Sequence, residues 1–243
     1  MQTSSQLLPL FALSLLLVLT AGCSGSAPRV LAPEYERGAF TGVSVALLPL
    51  SSDLMPAEDS ARAAAEEEDP QAAYFTSEGR QLFYRLFALE LREVASAEVL
   101  DLGPTFRPDG APFQTSGLAL PSGDSLRIPL PERPVDLPNR QADFMLLIDQ
   151  LTFTPRSETA RSGQFGSTER RESLYIEARC QYVLWDNREN RAAAYGTYKG
   201  ESRMLNPNSR APYEDLFEQL AVHVIERSPI ALTRPLQSVA ATP

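Results

Sequence analysis

Two stretches of alternation, residues 174–186 and 192–204, limit the fold more than any other feature of the sequence. In both, small or apolar residues alternate with polar ones, which is the period of a half-buried β-strand. Residues 186–190 between them have the composition of a turn. The pattern predicts an antiparallel hairpin with one side facing solvent. The charged residues expected to pair across that side are Glu177, Arg179, Lys199 and Glu201.

Two amphipathic helices are predicted to cover the other side of the hairpin. Residues 76–95 and 212–227 carry apolar side chains at helical spacing, and Pro212 suits the first turn of the second helix. Each helix needs an apolar surface, and one sheet supplies it. We therefore expect an α+β fold, an α/β two-layer sandwich in which a mixed sheet of about five strands carries two main helices on one face.

The predicted strand at 142–154 is apolar on both sides at its start. Met145 and Leu147 point opposite to Phe144, Leu146 and Ile148 if the residues alternate, so both sides need a cover. The second cover is either another part of the chain or another protein. We hypothesise that it is partial and reversible, which leaves Met145 and Leu147 as part of a regulated partner surface.

Residues 103–140 are the candidate for that second cover. They hold eight prolines and four glycines, which excludes a central strand or a helix interior. A structureless segment of this length inside a domain is either disordered or functional. Short extended pieces are expected at 117–120 and 126–130, lying along the domain surface.

The amino-terminal end has the pattern of an export signal. Residues 7–21 form an uncharged apolar run, which is short for a membrane span and suits a signal peptide. The run ends in Thr20-Ala21-Gly22 before Cys23, which resembles the lipobox of bacterial lipoproteins. The resemblance implies that residues 1–22 are removed, that Cys23 is lipidated, and that Ser24 directs the protein to the outer membrane. The alternative is an ordinary cleaved signal in which Cys23 is incidental.

The domain boundaries follow from these patterns. Residues 23–41 are small, aperiodic and proline-containing, and they are predicted to be a lipidated tether. Residues 42–230 form a single α/β domain with the proline-rich insertion 103–140, and 231–243 form a tail without a pattern.

Composition narrows the possible functions. The 31 acidic residues exceed the 22 basic ones, giving a net charge of -9, which disfavours nucleic-acid binding. One histidine and two cysteines leave little for a zinc centre or a histidine-based triad, so no cofactor, metal or catalytic residue is assigned.

Three single residues are candidates for chemistry. His223 falls at the edge of its helix's apolar stripe, and Cys180 falls on the apolar side of its strand. Asp149, within an apolar strand, is the acid to watch for a raised pKa. The alternative, which we favour, is that it lies at the solvated end of the strand beside Gln150 and an arginine.

One segment concentrates positive charge in this acidic chain. Residues 155–173 are predicted to be a polar loop, and its arginines are Arg156, Arg161, Arg170 and Arg171. These could contact anionic lipid headgroups or an acidic partner, and they complete the tentative partner surface with Met145 and Leu147. The alternative is a solvated, mobile loop.

The order of elements adds a family resemblance. An early strand ending near Leu-Pro-Leu at 48–50, a helix, a strand opened by Ala-Asp-Phe at 142–144, a hairpin with an Asp-Asn turn and a closing helix resemble the TolB amino-terminal-like fold of envelope lipoproteins. Curli-secretion lipoproteins and lipoprotein activators of penicillin-binding proteins belong to this group, and auxiliary lipoproteins of ABC-type lipid transporters have a similar layout.

The resemblance implies a function as well as a fold. It implies a non-enzymatic accessory or binding subunit of an envelope assembly or transport system, lipid-anchored, facing the periplasm and contacting an envelope protein. The alternative is an envelope-anchored hydrolase that processes the cell wall or lipids. The oligomeric state stays open.

Overall fold

The structure is a computed structural model that describes residues 27–50, 77–103, 105–107, 113–137, 140–162, 169–205 and 210–233. The predicted signal peptide, Cys23 and the tail from 234 onward lie outside these residues. The described chain forms a six-stranded mixed sheet, a two-stranded sheet and two helices. The α+β prediction is confirmed, with one more strand in the main sheet than expected.

The main sheet has the strand order β1-β8-β7-β6-β2-β3. Strand β2 is parallel to β3 and β6, and the remaining neighbours are antiparallel. The strands are β1 Arg29–Leu31, β2 Val43–Leu47, β3 Ala97–Asp101, β4 Phe113–Ala119, β5 Ser125–Pro131, β6 Phe144–Ser162, β7 Glu169–Asp186 and β8 Arg191–Met204, and the helices are α1 Ser77–Val94 and α2 Ala211–Glu226.

Both helices pack on one side of the sheet, as their apolar stripes predicted. Phe83 of α1 stacks on Phe87 at 5.1 Å between ring centroids and meets Phe217 of α2 edge-on at 5.5 Å. The sheet contributes the alternate side chains Phe144, Leu146, Ile148, Cys180, Tyr182 and Leu184 to the same cluster. Each helix lies within one residue of its predicted bounds at both ends, because burial along one stripe gives a strong periodic signal.

A second apolar cluster lies on the opposite side of the sheet. Residues 113–137, called the cover below, consist of the β4–β5 hairpin and the segment that follows it. Ile128, Leu130 and Val135 of the cover pack with Met145 and Leu147, which are 0% and 1% exposed. The predicted cover from the proline-rich segment is therefore present, and it buries Met145 and Leu147. These two residues can take part in a partner surface only if the cover opens, and that part stays a prediction.

The proline-rich segment contains more regular structure than its composition indicated. Both predicted extended pieces belong to strands, since 117–119 lies in β4 and 126–130 lies in β5. Pro129 and Pro131 are within β5, which pairs only with β4. A strand with one free edge tolerates proline because the missing N–H is not needed there.

The predicted arginine-rich loop is also wrong in part. β6 continues to Ser162 and β7 resumes at Glu169, paired to each other up to those residues. These residues carry no apolar alternation because β8 and the helices do not extend over them. Main-chain hydrogen bonds hold such a ribbon together without a buried side, so the sequence pattern does not reveal it.

Part of the predicted tether belongs to the domain. Arg29 pairs with Gly196 of β8, and a Cβ at Gly196 would collide with the carbonyl oxygen of Pro28, so glycine permits this close approach. Phe40 and Ala231 also join the fold, since the Ala231 N–H donates to the Phe40 carbonyl at 2.8 Å. Residues 28–41 of the predicted tether therefore belong to the domain, and residues 231–233 are not part of a free tail.

Candidate functional site

The side of the sheet that carries the cover has a second half that the cover does not reach. We call this half the open face; β6, β7 and β8 lie side by side there, and the sheet's other side packs against α2. Its side chains, which alternate with those of the helix side, are Thr152, Thr154, Arg156, Tyr175, Glu177, Arg179, Gln181, Thr197, Lys199, Glu201 and Arg203.

Glu177 is the centre of the open face. Its side chain is only 3% exposed, and its carboxylate accepts hydrogen bonds from Arg156 at 2.9 Å and from Arg179. The Lys199 ammonium lies 3.1 Å from the same carboxylate, which confirms the predicted pairing of Glu177 with Lys199. Burial opposes ionisation of Glu177, but the bonds from Lys199 and Arg179 prevail and hold its pKa below the ordinary value.

Charged side chains of both signs are concentrated on the open face. Four cations, Arg156, Arg179, Lys199 and Arg203, lie on the same side of the sheet as four carboxylates, Asp149, Glu158, Glu177 and Glu201. The side chains of Arg156, Arg179 and Lys199 are 51%, 62% and 54% exposed, so each of them keeps donors free for solvent or a ligand although it contacts Glu177. A cluster of exposed charged side chains with free donors is a candidate binding surface.

The structure separates the four predicted arginines into two groups. Arg156 lies on the open face, in register with Tyr175. Arg161 is in register with Arg170, and Ala160 is in register with Arg171, on a two-stranded extension of the sheet. We call this extension, residues 158–162 and 169–173, the arm. It continues the open face by five residue pairs beyond the last residue of β8.

Several carboxylates of the two helices lie close together on the helix side. Burial raises the pKa of Glu90 of α1 above its ordinary value, and the negative charges of Glu93, Glu218 and Glu214 raise it further. These carboxylates from α1 and α2 therefore share one region of the surface.

His223 and Cys180 have structural roles. The imidazole Nε2 of His223 lies 2.8 Å from the Thr197 carbonyl, on the edge of β8 just beyond the end of β1. Burial and the positive charge of Arg29 lower the pKa of His223 to about 4, so the ring is neutral at pH 7. Cys180 is 4% exposed in the helix-side cluster, and burial raises the pKa of its thiol far above the ordinary value. Asp149 is half-buried at the inner end of the open face.

Two functional features of the structure were missed from the sequence. The first is the convergence of Arg156 with Arg179 and Lys199, since alternation placed the last two on one side without showing which residue of β6 faces them. The second is the Asn187 side chain, which donates to the Val135 and Ala142 carbonyls and accepts from the Val135 N–H at 2.8 Å. The Asp-Asn turn was the available signal, and the structure shows that its asparagine fastens the cover.

The described residues offer neither a metal site nor a membrane-spanning helix. Among them, no group of three or more histidine, cysteine, aspartate or glutamate side chains is arranged to hold a metal ion. Neither of their two helices combines the length and the apolar character that crossing a membrane requires.

Comparison with known proteins gives little further information. The sequence matches no protein-family model and no curated protein. A structural match is the crystal structure of protein XCC0632 from Xanthomonas campestris, of the family described as DUF330. It has a TM-score of 0.34 and 10% sequence identity, and the match covers 83% of this chain and 88% of that chain.

Proposed function

We propose that this chain is a lipid-anchored accessory protein of the bacterial cell envelope that acts as a binding subunit of an assembly or transport system. The observation that carries the proposal is the position of Cys23. It follows an uncharged apolar run and three small residues, and β1 begins at Arg29, six residues later. Acyl chains on Cys23 would hold the sheet durably at a membrane.

The second cysteine supports lipidation over a disulfide. Cys180 is buried within the helix-side cluster, and the described chain gives it no cysteine partner. A bridge between Cys23 and Cys180 would require opening that cluster. Cys23 is therefore the cysteine available for modification.

A binding role is supported by the positions and contacts of the side chains that could otherwise take part in catalysis. His223 binds a main-chain carbonyl, and Cys180 packs in the core with a thiol that stays protonated. Charged side chains with free donors instead lie on the open face. The resemblance to the TolB amino-terminal-like group and the outer-membrane location indicated by Ser24 belong to the same proposal.

Lipidation can be tested by metabolic labelling with a clickable palmitate analogue. The wild-type chain is expected to incorporate the label and Cys23→Ser to lose it completely. Cys180→Ala is the matched control, because it removes the other cysteine and should keep full labelling. Label that persists in Cys23→Ser would refute the anchor.

The location can be tested by a change at the sorting position. Ser24→Asp is expected to move most of the labelled protein from outer-membrane to inner-membrane fractions on a density gradient. Ser24→Ala, of similar size and without charge, should leave the distribution unchanged. An identical distribution for Ser24→Asp and the wild type would contradict the proposed sorting.

The binding role can be tested by photo-crosslinking in intact envelopes. A photoreactive residue is placed at Leu89 on the helix side, at Arg127 on the cover, or at Tyr175 on the open face. We expect a defined envelope protein to be captured from Tyr175, because the open face carries the charged side chains with free donors, and not from Leu89 on the opposite side of the sheet. Capture of no protein from any of the three positions would refute a binding subunit.

A further inference from the structure

The end of the cover is held by side chains that bind its main chain. Residues 132–137, called the terminal segment below, follow β5 and lie outside any strand. The Asn187 side chain accepts a hydrogen bond from the Val135 N–H at 2.8 Å and donates one to the Val135 carbonyl at 3.0 Å. The Asn190 side chain donates to the Glu132 carbonyl at 3.1 Å. Both asparagines therefore bind groups that every extended peptide segment carries.

The terminal segment buries only alternate side chains. Val135 and Leu137 are 2% and 8% exposed in the apolar cluster beneath the cover. The exposed side chains of the segment are Glu132, Arg133, Pro134 and Asp136. Alternation of this kind is the pattern of an extended chain, in which residues i and i+2 point to the same side. Another extended segment with two apolar side chains at this spacing could therefore take the same position.

Two buried polar atoms beside the terminal segment are left without a partner. Nε1 of Trp185 and Oδ1 of Asn190 are buried, and neither has a hydrogen-bond partner among the described residues. Trp185 is 6% exposed and belongs to the same cluster as Val135. A buried donor without an acceptor is rare, because it loses its hydrogen bonds to water without replacement. Trp185, Asn187 and Asn190, called the turn site below, thus keep one donor and one acceptor that the chain's own segment does not use.

The terminal segment can leave the turn site while the rest of the cover stays in place. Within the described residues it pairs with no strand of the main sheet, and its bridge from Leu137 to Arg140 is local. The preceding strand, β5, has its own apolar contacts with the main sheet. Segments with few buried side chains open at a low cost in free energy.

We propose that the turn site binds an extended segment of an envelope protein in place of the terminal segment. Asn187 binds the N–H and the carbonyl of one residue of that segment, and this residue is apolar like Val135. The terminal segment cannot shift along the site because it is joined to β5 at Pro131, whereas a separate segment can bring a carbonyl to Nε1 of Trp185.

The additional hydrogen bond favours the partner over the terminal segment, which acts as an internal competitor. The chain therefore inhibits its own turn site until a partner segment displaces residues 132–137. This inference rests on the proposed function, because it specifies what kind of segment the binding subunit recognises.

The experiment uses chain 23–243 with Cys23→Ser in solution, so that neither acylation nor a membrane is involved. The probe is a fluorescent peptide with the sequence of residues 130–137, Leu-Pro-Glu-Arg-Pro-Val-Asp-Leu. Val135→Ser weakens the attachment of the chain's own segment by removing a buried apolar side chain. Thr115→Ser, at an exposed position of β4, is the matched control because it introduces the same residue elsewhere in the cover.

We expect Val135→Ser to bind the peptide about tenfold more tightly than the wild type and Thr115→Ser do, because its own segment competes less. Addition of Asn187→Ala to Val135→Ser should weaken binding about tenfold. A peptide with N-methylvaline at the position of Val135 should also bind about tenfold more weakly, because it lacks the N–H that Asn187 binds. Trp185 is the only tryptophan of the chain, and its indole N–H resonance should move downfield when the peptide binds.

A second measurement needs no substitution in the turn site or the cover, and it decides the question if Val135→Ser does not fold. An excess of the peptide should displace the terminal segment and accelerate hydrogen exchange of the Val135 N–H about tenfold. Exchange in β7 and β8 should stay unchanged.

Several results would overturn the inference. These are equal binding by Val135→Ser and Thr115→Ser, equal binding of the parent and the N-methylated peptide, an indole resonance that does not move, or unchanged exchange at Val135. A concentration-dependent dimer of the wild type that Asn187→Ala abolishes would assign a second copy of this chain as the occupant instead. The experiment involves no lipid, so failure of the palmitate labelling and failure of this inference are distinguishable.

Discussion

The two ends of β6 and β7 share one side of the sheet but place opposite chemistry on it. At the turn end, Met145, Leu147 and Val183 are at most 1% exposed beneath the cover. At the arm end, Arg156 and Arg179 are exposed and hold Glu177 between them. The same two strands thus provide a sealed apolar layer and a charged surface. The difference shows that the residues of the strands and the position of the cover agree: apolar side chains lie where the cover packs, and charged side chains lie where it ends.

A β-bulge marks the boundary between the two ends. The register of β6 against β7 shifts between Asp149 and Thr152, and Gln150 has a φ of 51°, in the left-handed region. The extra residue moves Phe153 to the helix side and Arg156 to the side of Glu177. Without the bulge, Arg156 would lie among the apolar residues of the helix side.

The largest expected effect is at the covered end. Ile128→Ala removes a fully buried side chain from the cover and should lower the free energy of unfolding by about 3 kcal/mol. The hydrogen-bonded strands beneath it cannot move to fill the cavity that the mutation leaves. The neighbouring Arg127→Ala, at an exposed position of β5, should cost less than ~0.5 kcal/mol. Urea denaturation measures both, and similar small losses would mean that the cover contributes little to stability.

The second prediction concerns the attachment of the cover. Asn187→Ala leaves the Val135 N–H and two carbonyls without their partner at a buried site, which should cost about 2 kcal/mol. Tyr195→Phe is the matched change, since it removes one exposed hydrogen bond from the sheet to the Ala119 carbonyl and should cost about 0.5 kcal/mol.

Hydrogen exchange through 113–137 provides a second measurement for the asparagine variant. Faster exchange there with unchanged exchange in the helices would show that the cover opens separately. Uniformly faster exchange throughout would instead show that the cover and the main sheet unfold together, which would contradict the reversible cover hypothesised from the sequence.

The elements predicted correctly are those with one buried side. Both helices and the β7–β8 hairpin alternate between core and solvent, so their periodicity is visible in the residues themselves. The sequence of the arm shows no apolar alternation, and the β4–β5 hairpin is rich in proline and glycine, so neither has the pattern of a typical strand. Regular structure in these regions comes from main-chain pairing, which the composition does not record.

The open face could also be predicted only in part, because one of its contacts depends on the register between two strands. Alternation placed Glu177, Arg179 and Lys199 on one wet side, and the structure confirms this placement. Arg156 was identified from local charge alone. Its contact with Glu177 depends on the bulge at Asp149 and Thr152, and a one-residue register shift is not encoded in any local pattern.

A smaller effect, which depends on pH, is expected where His223 contacts the edge of β8. The pKa of His223 is about 4 in the folded protein against 6.5 in the unfolded chain, so the unfolded chain binds the extra proton between these values. Stability should therefore be fully present above pH 6.5 and fall as the pH approaches 4.

The matched variant for this prediction is His223→Gln, which keeps a donor for the Thr197 carbonyl and does not titrate. Because the ring is partly exposed, we expect the wild type to lose about 1 kcal/mol more than this variant between pH 7 and pH 5. Thermal denaturation at the two pH values measures the difference. Parallel losses in both proteins would show that His223 is already solvated in the folded state.

The smallest effect should come from Glu177 itself. Glu177→Gln removes a buried charge but leaves cations that are more than half exposed, so water replaces the lost pairing and the cost at pH 7 should stay below ~1 kcal/mol. The lowered pKa means that this stabilisation is present at neutral pH and lost as the pH falls below 4.5, so the two unfolding curves should converge in acid.

Glu201→Gln, at a half-exposed carboxylate 4.0 Å from Arg156, is the control and should have almost no effect. If Glu177→Gln lowered the free energy of unfolding as much as Ile128→Ala does, water would be excluded from the arm end as completely as from the covered end. The contrast between the two ends would then no longer hold.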